Sequence, residues 1–428
     1  MAVLALQPSC GTFTEHASIY PLQAMTGETP FRQEKITMIE NSFKLSADYT
    51  QVLDAADRYA REQLHPLWQK MDEKDWYPEH IMPQLGADGW LGITAPEEMG
   101  GAGMDLISQC LVCQAFHRWN HSIGAIAGAH DNLCMNNILR NASQTAVQKY
   151  IPDMVTGKKI GALGMTEPGA GSDAIGSMAT TARREGDNYI INGRKMFCSN
   201  GPFADVILLY AKTEKNRGAG GVSAFIVDTT SPGFSVAQKL PKMGWRGQHT
   251  GELVFDDCEV PAENLVGEEN KGIAVMMSGL DIERIYCSFE CLGMAERAFD
   301  LALEYAKDRV QFGQPIGNFQ MVQDMLATMY TTVESMRLMC YRAGAELNHL
   351  EKGGGGRGAK HKLSAATYLH CGEGVIQVTD LAVQIWGGYG LITESEVNYL
   401  FRSARLMTIG GGTSQVRKMI IGQELMKQ

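Results

Sequence analysis

The apolar residues of this chain change their period twice, and that switch constrains the fold more than any single motif. From about Ser46 to Met154 they recur at three- and four-residue spacing, as in Val52, Ala55, Ala56, Tyr59 and Ala60, and again from Leu106 to His117. Such a period lays one apolar stripe along a helix. Between roughly Lys159 and Gly267 the pattern becomes short apolar runs between turn residues: Tyr189-Ile190-Ile191, Val206-Ile207-Leu208-Leu209-Tyr210, Ala224-Phe225-Ile226-Val227 and Leu253-Val254-Phe255. Runs of that length and punctuation suit strands. From Gly272 onward helical patterns return, broken by a glycine-rich linker from Gly353 to Gly358 that is expected to join two helices and bind nothing. The order makes an α+β chain. Its expected segments are an extension over 1–44, poorly ordered, a helical domain over 45–158, a β-domain over 159–268 and helices over 269–428.

Composition narrows the function classes. The chain has 428 residues, 44% of them apolar, which is enough for two or three domains with substantial cores. Basic residues number 38 against 48 acidic, a net charge of −10 that argues against nucleic acid as the main partner. No apolar run approaches the roughly 20 residues of a membrane span. The ten cysteines are scattered, mostly in apolar helical contexts such as Cys287 and Cys291, which fits buried thiols in a reduced compartment. The first 37 residues hold Glu15, Glu28 and Glu34 against only Arg32 and Lys35, unlike an Arg-rich, acid-poor transit peptide. A cytoplasmic location is therefore expected, with the mitochondrial matrix as the alternative.

Two stretches hold potential chemistry. Cys110, Cys113, His117 and His121 invite a zinc reading, but on one helix the outer pair stands about 16 Å apart at ~1.5 Å per residue. A packed helical stripe is the better account, and no metal is expected. Near the C-terminus, Gly410-Gly411-Gly412-Thr413-Ser414-Gln415 precedes a helical pattern. Glycines let a ligand approach main-chain N–H groups, and Thr413 or Ser414 can cap the helix that follows.

Five elements in order carry a family resemblance. Met165-Thr166-Glu167 through Gly171-Ser172-Asp173 resembles the first motif of the acyl-CoA dehydrogenases, and Gln384-Ile385-Trp386-Gly387-Gly388-Tyr389-Gly390 resembles a second. Arg309-Val310-Gln311-Phe312-Gly313 with Gln320, Met243-Gly244-Trp245-Arg246 through Phe255-Asp256, and Val260-Pro261 resemble others. The resemblance implies an N-terminal helical domain, a middle β-barrel and a C-terminal four-helix bundle, assembled as a homotetramer that binds FAD. It implies an acyl-CoA substrate and an electron-transferring flavoprotein as acceptor. By position, Met165, Thr166, Phe197 and Ser199 line the flavin ring, and Ser172 meets its pyrophosphate or nearby ligand groups. Arg309, Phe312, Gln320, Gln384 and Gly388 hold the adenosine-diphosphate half, largely from an adjacent subunit, and Thr413 and Gln415 complete the cradle. Asp281 and Arg284, a pair at i, i+3, are implied contacts for the nucleotide end of the ligand.

The family needs a carboxylate to remove the proton α to the thioester carbonyl. Many members place a glutamate just before the Gly-Thr-Ser of the C-terminal loop, where this chain has Gly411. The isovaleryl-CoA and long-chain branches place it on the helix that opens the bundle, and Glu283 of Leu280-Asp281-Ile282-Glu283-Arg284 falls there. At helical spacing Glu283 shares a face with Met276, Leu280 and Cys287, a setting that raises a carboxyl pKa. The main-chain N–H of Gly411 and a flavin hydroxyl are the implied donors to the thioester oxygen. Gly410 and Gly411 are expected to leave space beside the reacting carbons, favouring a branched or bulky acyl group, isovaleryl-CoA first. A larger β-substituted thioester (terpenoid or benzylsuccinyl type), a carrier-protein-bound acyl group and an acyl-CoA oxidase remain alternatives. Four positions depart from the family pattern: Phe197 for a frequent Trp, Gln248 for a Ser near the CoA, and Tyr399 with Ser403 for an i, i+4 salt pair, the last two read as structural.

Overall fold

The computed structural model describes residues 45–348 and 355–427, so the expectation for the first 44 residues lies outside the described ones. The N-terminal layer holds α1 (Ala47–Tyr59), α2 (Trp68–Lys74), α3 (Ile81–Ala87), α4 (Leu106–Gly128), α5 (Asn136–Asn141) and α6 (Gln144–Val155). Side-chain caps start three of these. Ser46, Asp105 and Ser143 accept from Tyr49, Ser108 and Ala146 N–H, filling donors that a helix start leaves open. Helix α4 breaks at Asn120 (φ −152°, ψ 86°), whose side chain donates to Leu64 O at 2.8 Å and accepts from Ile123 N at 3.2 Å. The side chain thus replaces main-chain bonds lost at the kink.

The middle layer is an eight-stranded sheet. Its strands are β1 (Gly161–Gly164), β2 (Thr181–Glu185), β3 (Asn188–Ser199), β4 (Val206–Lys212), β5 (Val222–Asp228), β6 (Phe234–Lys239), β7 (Thr250–Pro261) and β8 (Leu265–Val266). Hydrogen bonds link them in the order β6-β7-β3-β2-β4-β5-β8, with β1 parallel on β4. The continuous apolar runs of β4 and β5 are explained by burial on both faces. Val206, Leu208, Tyr210, Ala224 and Ile226 pack with Tyr150 and Met154 of α6, while Ile207, Leu209, Phe225 and Val227 pack with Tyr189, Leu253 and Phe255.

The C-terminal layer holds α7 (Gly272–Asp308), a short hairpin of β9 (Val310–Gln311) and β10 (Gln314–Pro315), then α8 (Gln320–Leu347), α9 (Gly358–Trp386), α10 (Glu396–Ala404) and α11 (Ser414–Met426). Ile285, Phe289, Leu292, Met336, Cys340, Cys371 and Val375 share one core with Leu111 of α4. The described cysteines are free thiols.

The departures at Tyr399 and Ser403 have a structural role. Ser403 Oγ accepts from Trp245 N at 3.0 Å and pairs with His121 Nε2 at 2.8 Å, while Trp245 Nε1 donates to Ser403 O at 2.6 Å. Tyr399 stacks on His121 with centroids 3.8 Å apart. His121 of α4, Trp245 of the β-domain, and Tyr399 and Ser403 of α10 thus meet in a buried polar knot. Beside it Arg402 donates to Asp72 and to Met243 O. Asp72 is only 3% exposed, so removing its carboxylate strands a cation in a poorly hydrated place. Asp72→Ala is expected to destabilise by about 3 kcal/mol or more. A urea unfolding midpoint that does not move contradicts this.

Candidate active site

Helix α7 runs 37 residues without proline and carries Glu283 near its start. Around Glu283, Ile282, Arg284, Ile285 and Tyr286 are buried, while Glu283 itself is partly accessible. Burial raises its pKa, and the charges of Arg284 and Arg417 only partly oppose that. The glycine run closes over it. A Cβ at Gly411 would stand 3.5 Å from Glu283 Oε1 and 2.9 Å from Tyr368 Cε1. Gly411 has φ +61° and Gly412 φ +88°, which glycine adopts freely. Thr413 caps α11, accepting from Val416 N at 3.2 Å. Among the described residues the Gly411 N–H donates to no chain acceptor.

Two residues that sequence reasoning passed over hold this loop. Arg417, fully buried, lies 3.4 Å over the Tyr368 ring and donates to Met407 O at 2.8 Å and Gly410 O at 2.7 Å. Tyr368 OH adds a bond to Gly410 O at 3.1 Å. The only signal in the sequence was Arg417 standing one turn beyond Thr413, which does not distinguish an inward arginine from a solvated one.

A second group forms at the sheet. Lys195 and Glu167 make a buried pair at 2.8 Å, and Glu167 also accepts from Ala179 N at 2.6 Å and Thr180 N at 3.0 Å. Lys195 Nζ donates to Met165 O at 3.1 Å, and Met196 N to Thr166 O at 2.7 Å. Met165 and Thr166 are thereby fixed beside β3, where the pairing with β7 shifts register between Lys195 and Cys198. Inside that bulge Phe197 sits at φ +60° and is 66% exposed, and Ser199 follows at the strand end. A bulky residue at positive φ with its ring in solvent is a ledge for a flat ligand, not a packing element. Met165 shares one apolar cluster with Leu280 of α7, which links this group to the Glu283 helix. Ser172 is exposed, and Cβ atoms at Gly169 and Gly171 would meet nothing within 4 Å.

The third group lies on the bundle surface. Arg309 and Gly388 line one cleft with Tyr305, Trp386, Gly387 and Tyr389, and a Cβ at Gly388 would meet nothing within 4 Å. The Arg309 guanidinium lies 5.8 Å over the Tyr389 ring. Phe312 stands at the hairpin tip, φ +51° and 93% exposed, and Gln320, Gln384 and Gln415 are exposed.

Asp281, Arg284, Gly411 and Gln248 each have close neighbours within the protein. Asp281 is fully buried and engages Arg284 Nη1 at 3.0 Å, His361 Nδ1 at 2.7 Å, Ser364 Oγ at 2.8 Å and Gly356 N at 2.7 Å. Burial works to raise its pKa, but these donors outweigh that and hold it low. Asp281 and Arg284, only 4% exposed, tie α7 to α9 and to the end of the linker. At Gly411 the Tyr368 ring stands 2.9 Å from where a Cβ would be, so it bounds the glycine run on that side. Gln248 is buried and accepts from Lys242 Nζ at 2.7 Å.

Family models match the chain along nearly its whole described length: acyl-CoA dehydrogenase N-terminal domain over 46–158, middle domain over 162–258 and C-terminal domain over 270–426. This chain belongs to the acyl-CoA dehydrogenase family. It is 40% identical to a mitochondrial isovaleryl-CoA dehydrogenase of Oryza sativa subsp. japonica over 88% of this chain and 91% of that one. Among solved structures it resembles butyryl-CoA dehydrogenase from Megasphaera elsdenii (TM-score 0.85, 34% identity, covering 90% and 99% of the two chains). It also resembles PigA with FAD and proline (TM-score 0.85, 30% identity, 90% and 98%).

Family members are FAD-dependent oxidoreductases acting on acyl-CoA, and FAD is the cofactor here. The residues fit it: a solvent-facing aromatic ledge at Phe197, open glycines at 169, 171 and 388, and a cleft with an arginine that meets no carboxylate among the described residues.

Gly411→Ala tests the loop geometry. Left-handed backbone alone costs about 1–2 kcal/mol for a residue with a Cβ. The contact at 2.9 Å adds to that, since Arg417 prevents Tyr368 from yielding. A clear fall in unfolding midpoint is expected, and an unchanged midpoint contradicts the placement.

Proposed function

We propose that this acyl-CoA dehydrogenase introduces an α,β double bond into a branched or bulky acyl-CoA, isovaleryl-CoA-like, with Glu283 as the base for the α proton. One observation supports this above the others. The Glu283 carboxylate reaches to 3.5 Å from the place a side chain at Gly411 would start, so one carboxylate serves a position the loop leaves without one. Glu283 takes the α proton, and the Gly411 N–H donates to the thioester oxygen as negative charge gathers there. A donor fixed by Arg417 and Tyr368 in a dry site needs no reorganisation when the charge forms. Bound FAD supplies the hydride acceptor for the β carbon. Met165, Thr166, Phe197 and Ser199 would hold its flavin side and Ser172 its pyrophosphate or nearby ligand groups, with Thr413 and Gln415 at the loop. Arg309, Phe312, Gln320, Gln384 and Gly388 hold the nucleotide half.

The branched-chain preference rests on the likeness to the rice isovaleryl-CoA dehydrogenase. Phe312 and Leu391, 93% and 72% exposed near the Arg309 cleft, favour a neighbouring copy completing the cofactor site, as in a homotetramer. An electron-transferring flavoprotein is the proposed acceptor. Among the described residues no helix is long and apolar enough to cross a membrane.

The base must be ionised to act, and its pKa is raised by burial. Turnover is therefore expected above that raised pKa and lost as pH falls through it, at a pH higher than an ordinary glutamate gives. A profile that stays flat down to the pH at which an ordinary glutamate titrates contradicts the assignment. Glu283→Gln is expected to keep bound FAD and ligand affinity while turnover falls about 10²-fold or more. Anaerobic bleaching of the flavin by a panel of acyl-CoAs reads this, and full activity in the variant removes Glu283 from the mechanism. Bleaching by no CoA ester contradicts the substrate class.

A further inference from the structure

One juxtaposition of α4 and α7 lies outside the groups described above. Cys113 and His117 stand one turn apart on α4, and Glu290 of α7 meets them there. A ligand atom from each (thiol sulfur, imidazole nitrogen, carboxylate oxygen) lies within 4.8 Å of the other two. Helical spacing excludes one ion shared by Cys110 and His121, but Cys113 and His117 are neighbours on one face and the third member comes from another helix. His117 supplies the observation that points to a ligand. It is fully buried, and its Nδ1 meets Cys113 O at 2.8 Å. A carbonyl only accepts, so Nδ1 carries the hydrogen and Nε2 presents a lone pair. That Nε2 has no hydrogen-bond partner among the described residues. Metal-bound histidines are held in this way, one nitrogen donating to a carbonyl and the other left to coordinate.

The spacing decides what fits. Nε2 stands 3.6 Å from Glu290 Oε1, too far for a hydrogen bond between them. A bridging water or hydroxyl, at ~2.8 Å from each, needs them more than about 4 Å apart, so the gap is too narrow for one. A tetrahedral ion bound at about 2.0–2.1 Å holds nitrogen and oxygen about 3.4 Å apart, close to what is found. Coordination bonds are shorter than contact distances, so such an ion needs no cavity beforehand. Cys113 Sγ makes only long contacts, 3.5 Å to His117 Nδ1 and 3.7 Å to Tyr286 O, so a small side-chain rotation brings it onto the ion. The main chains need not move. Beside the site α4 and α7 already touch, since a Cβ at Gly293 would overlap Gln114 O. Ligand type and charge narrow the ion. Thiolate, imidazole and carboxylate together suit Zn2+, whereas Mg2+ and Ca2+ favour oxygen alone. Two anionic ligands neutralise a divalent charge, which lets the set remain in a dry place.

We propose that Cys113, His117 and Glu290 form a zinc site that joins α4 to α7, with a water as fourth ligand on the side where Glu290 is 12% exposed. On binding, the protons of the thiol and of any protonated carboxyl pass to solvent. Glu290 follows Glu283 by seven residues, about 10 Å along the helix at ~1.5 Å per residue. The ion therefore fixes the helix that carries the proposed base without touching the base, and the inference is independent of the substrate reading.

The test loads zinc onto the FAD-bound enzyme. The protein is stripped with a chelator, dialysed against Zn2+ and then against buffer, and the retained metal is counted by mass spectrometry. One ion per chain is expected, with an unfolding midpoint that rises with free Zn2+. X-ray absorption at the zinc edge is expected to show one sulfur at about 2.3 Å with nitrogen and oxygen at about 2.0–2.1 Å. Cys113→Ala and Glu290→Gln are each expected to weaken binding at least about tenfold. In the unaltered enzyme, no retained zinc, a shell without sulfur or a shell with two or more sulfurs overturns the site, whether or not the variants fold. Zinc held equally well by Cys113→Ala does the same.

Discussion

The geometry around the reacting position depends on one buried cation. Arg417 lies flat over Tyr368 and bonds Met407 O before the glycine run and Gly410 O at its start. Guanidinium suits this task because its planar fork donates in several directions while its face stacks on an aromatic ring. The consequence is a loop of glycines that has no side chains to pack and is nevertheless held in one place. That placement directs the Gly411 N–H, keeps the Tyr368 ring where a loop glutamate would otherwise extend, and leaves Glu283 of α7 as the carboxylate facing the gap.

The same economy of supports recurs at the sheet. Glu167 and Lys195 form an ion pair that is satisfied by main-chain donors and by Met165 O, so the pair shapes a loop as well as cancelling charge. Phe197 then sits in a bulge at positive φ, with its strain carried by the long pairing of β3 with β7 on either side. Rigid strands bear the distortion, and the ring is left exposed.

Much of the fold was legible because burial wrote itself into the apolar pattern. Strands β3, β4, β5 and β7 coincide with the apolar runs, and β4 and β5 are continuous runs because both faces are covered. Strands β2 and β6 were not legible: Arg183, Arg184 and Glu185 in one, and exposed Ser235, Val236, Ala237 and Gln238 in the other, carry no buried alternation. In the site, motif positions and the Glu283 stripe could be read from spacing. Asp281 and Arg284 could not, because their partners His361 and Ser364 stand on another helix. The facing of His117 and Glu290 was equally hidden, since a helix-local spacing argument sees only residues of one element.

The central claim is that Glu283 removes the α proton. Proton exchange isolates that act from hydride transfer. An acyl-CoA analogue unable to give up hydride, bound to the FAD-loaded enzyme in deuterium oxide, reports α-proton exchange by NMR. The account predicts exchange in the unaltered enzyme and a loss of about 10²-fold or more in Glu283→Gln. Undiminished exchange in that variant, with the analogue still bound, would show that another group is the base.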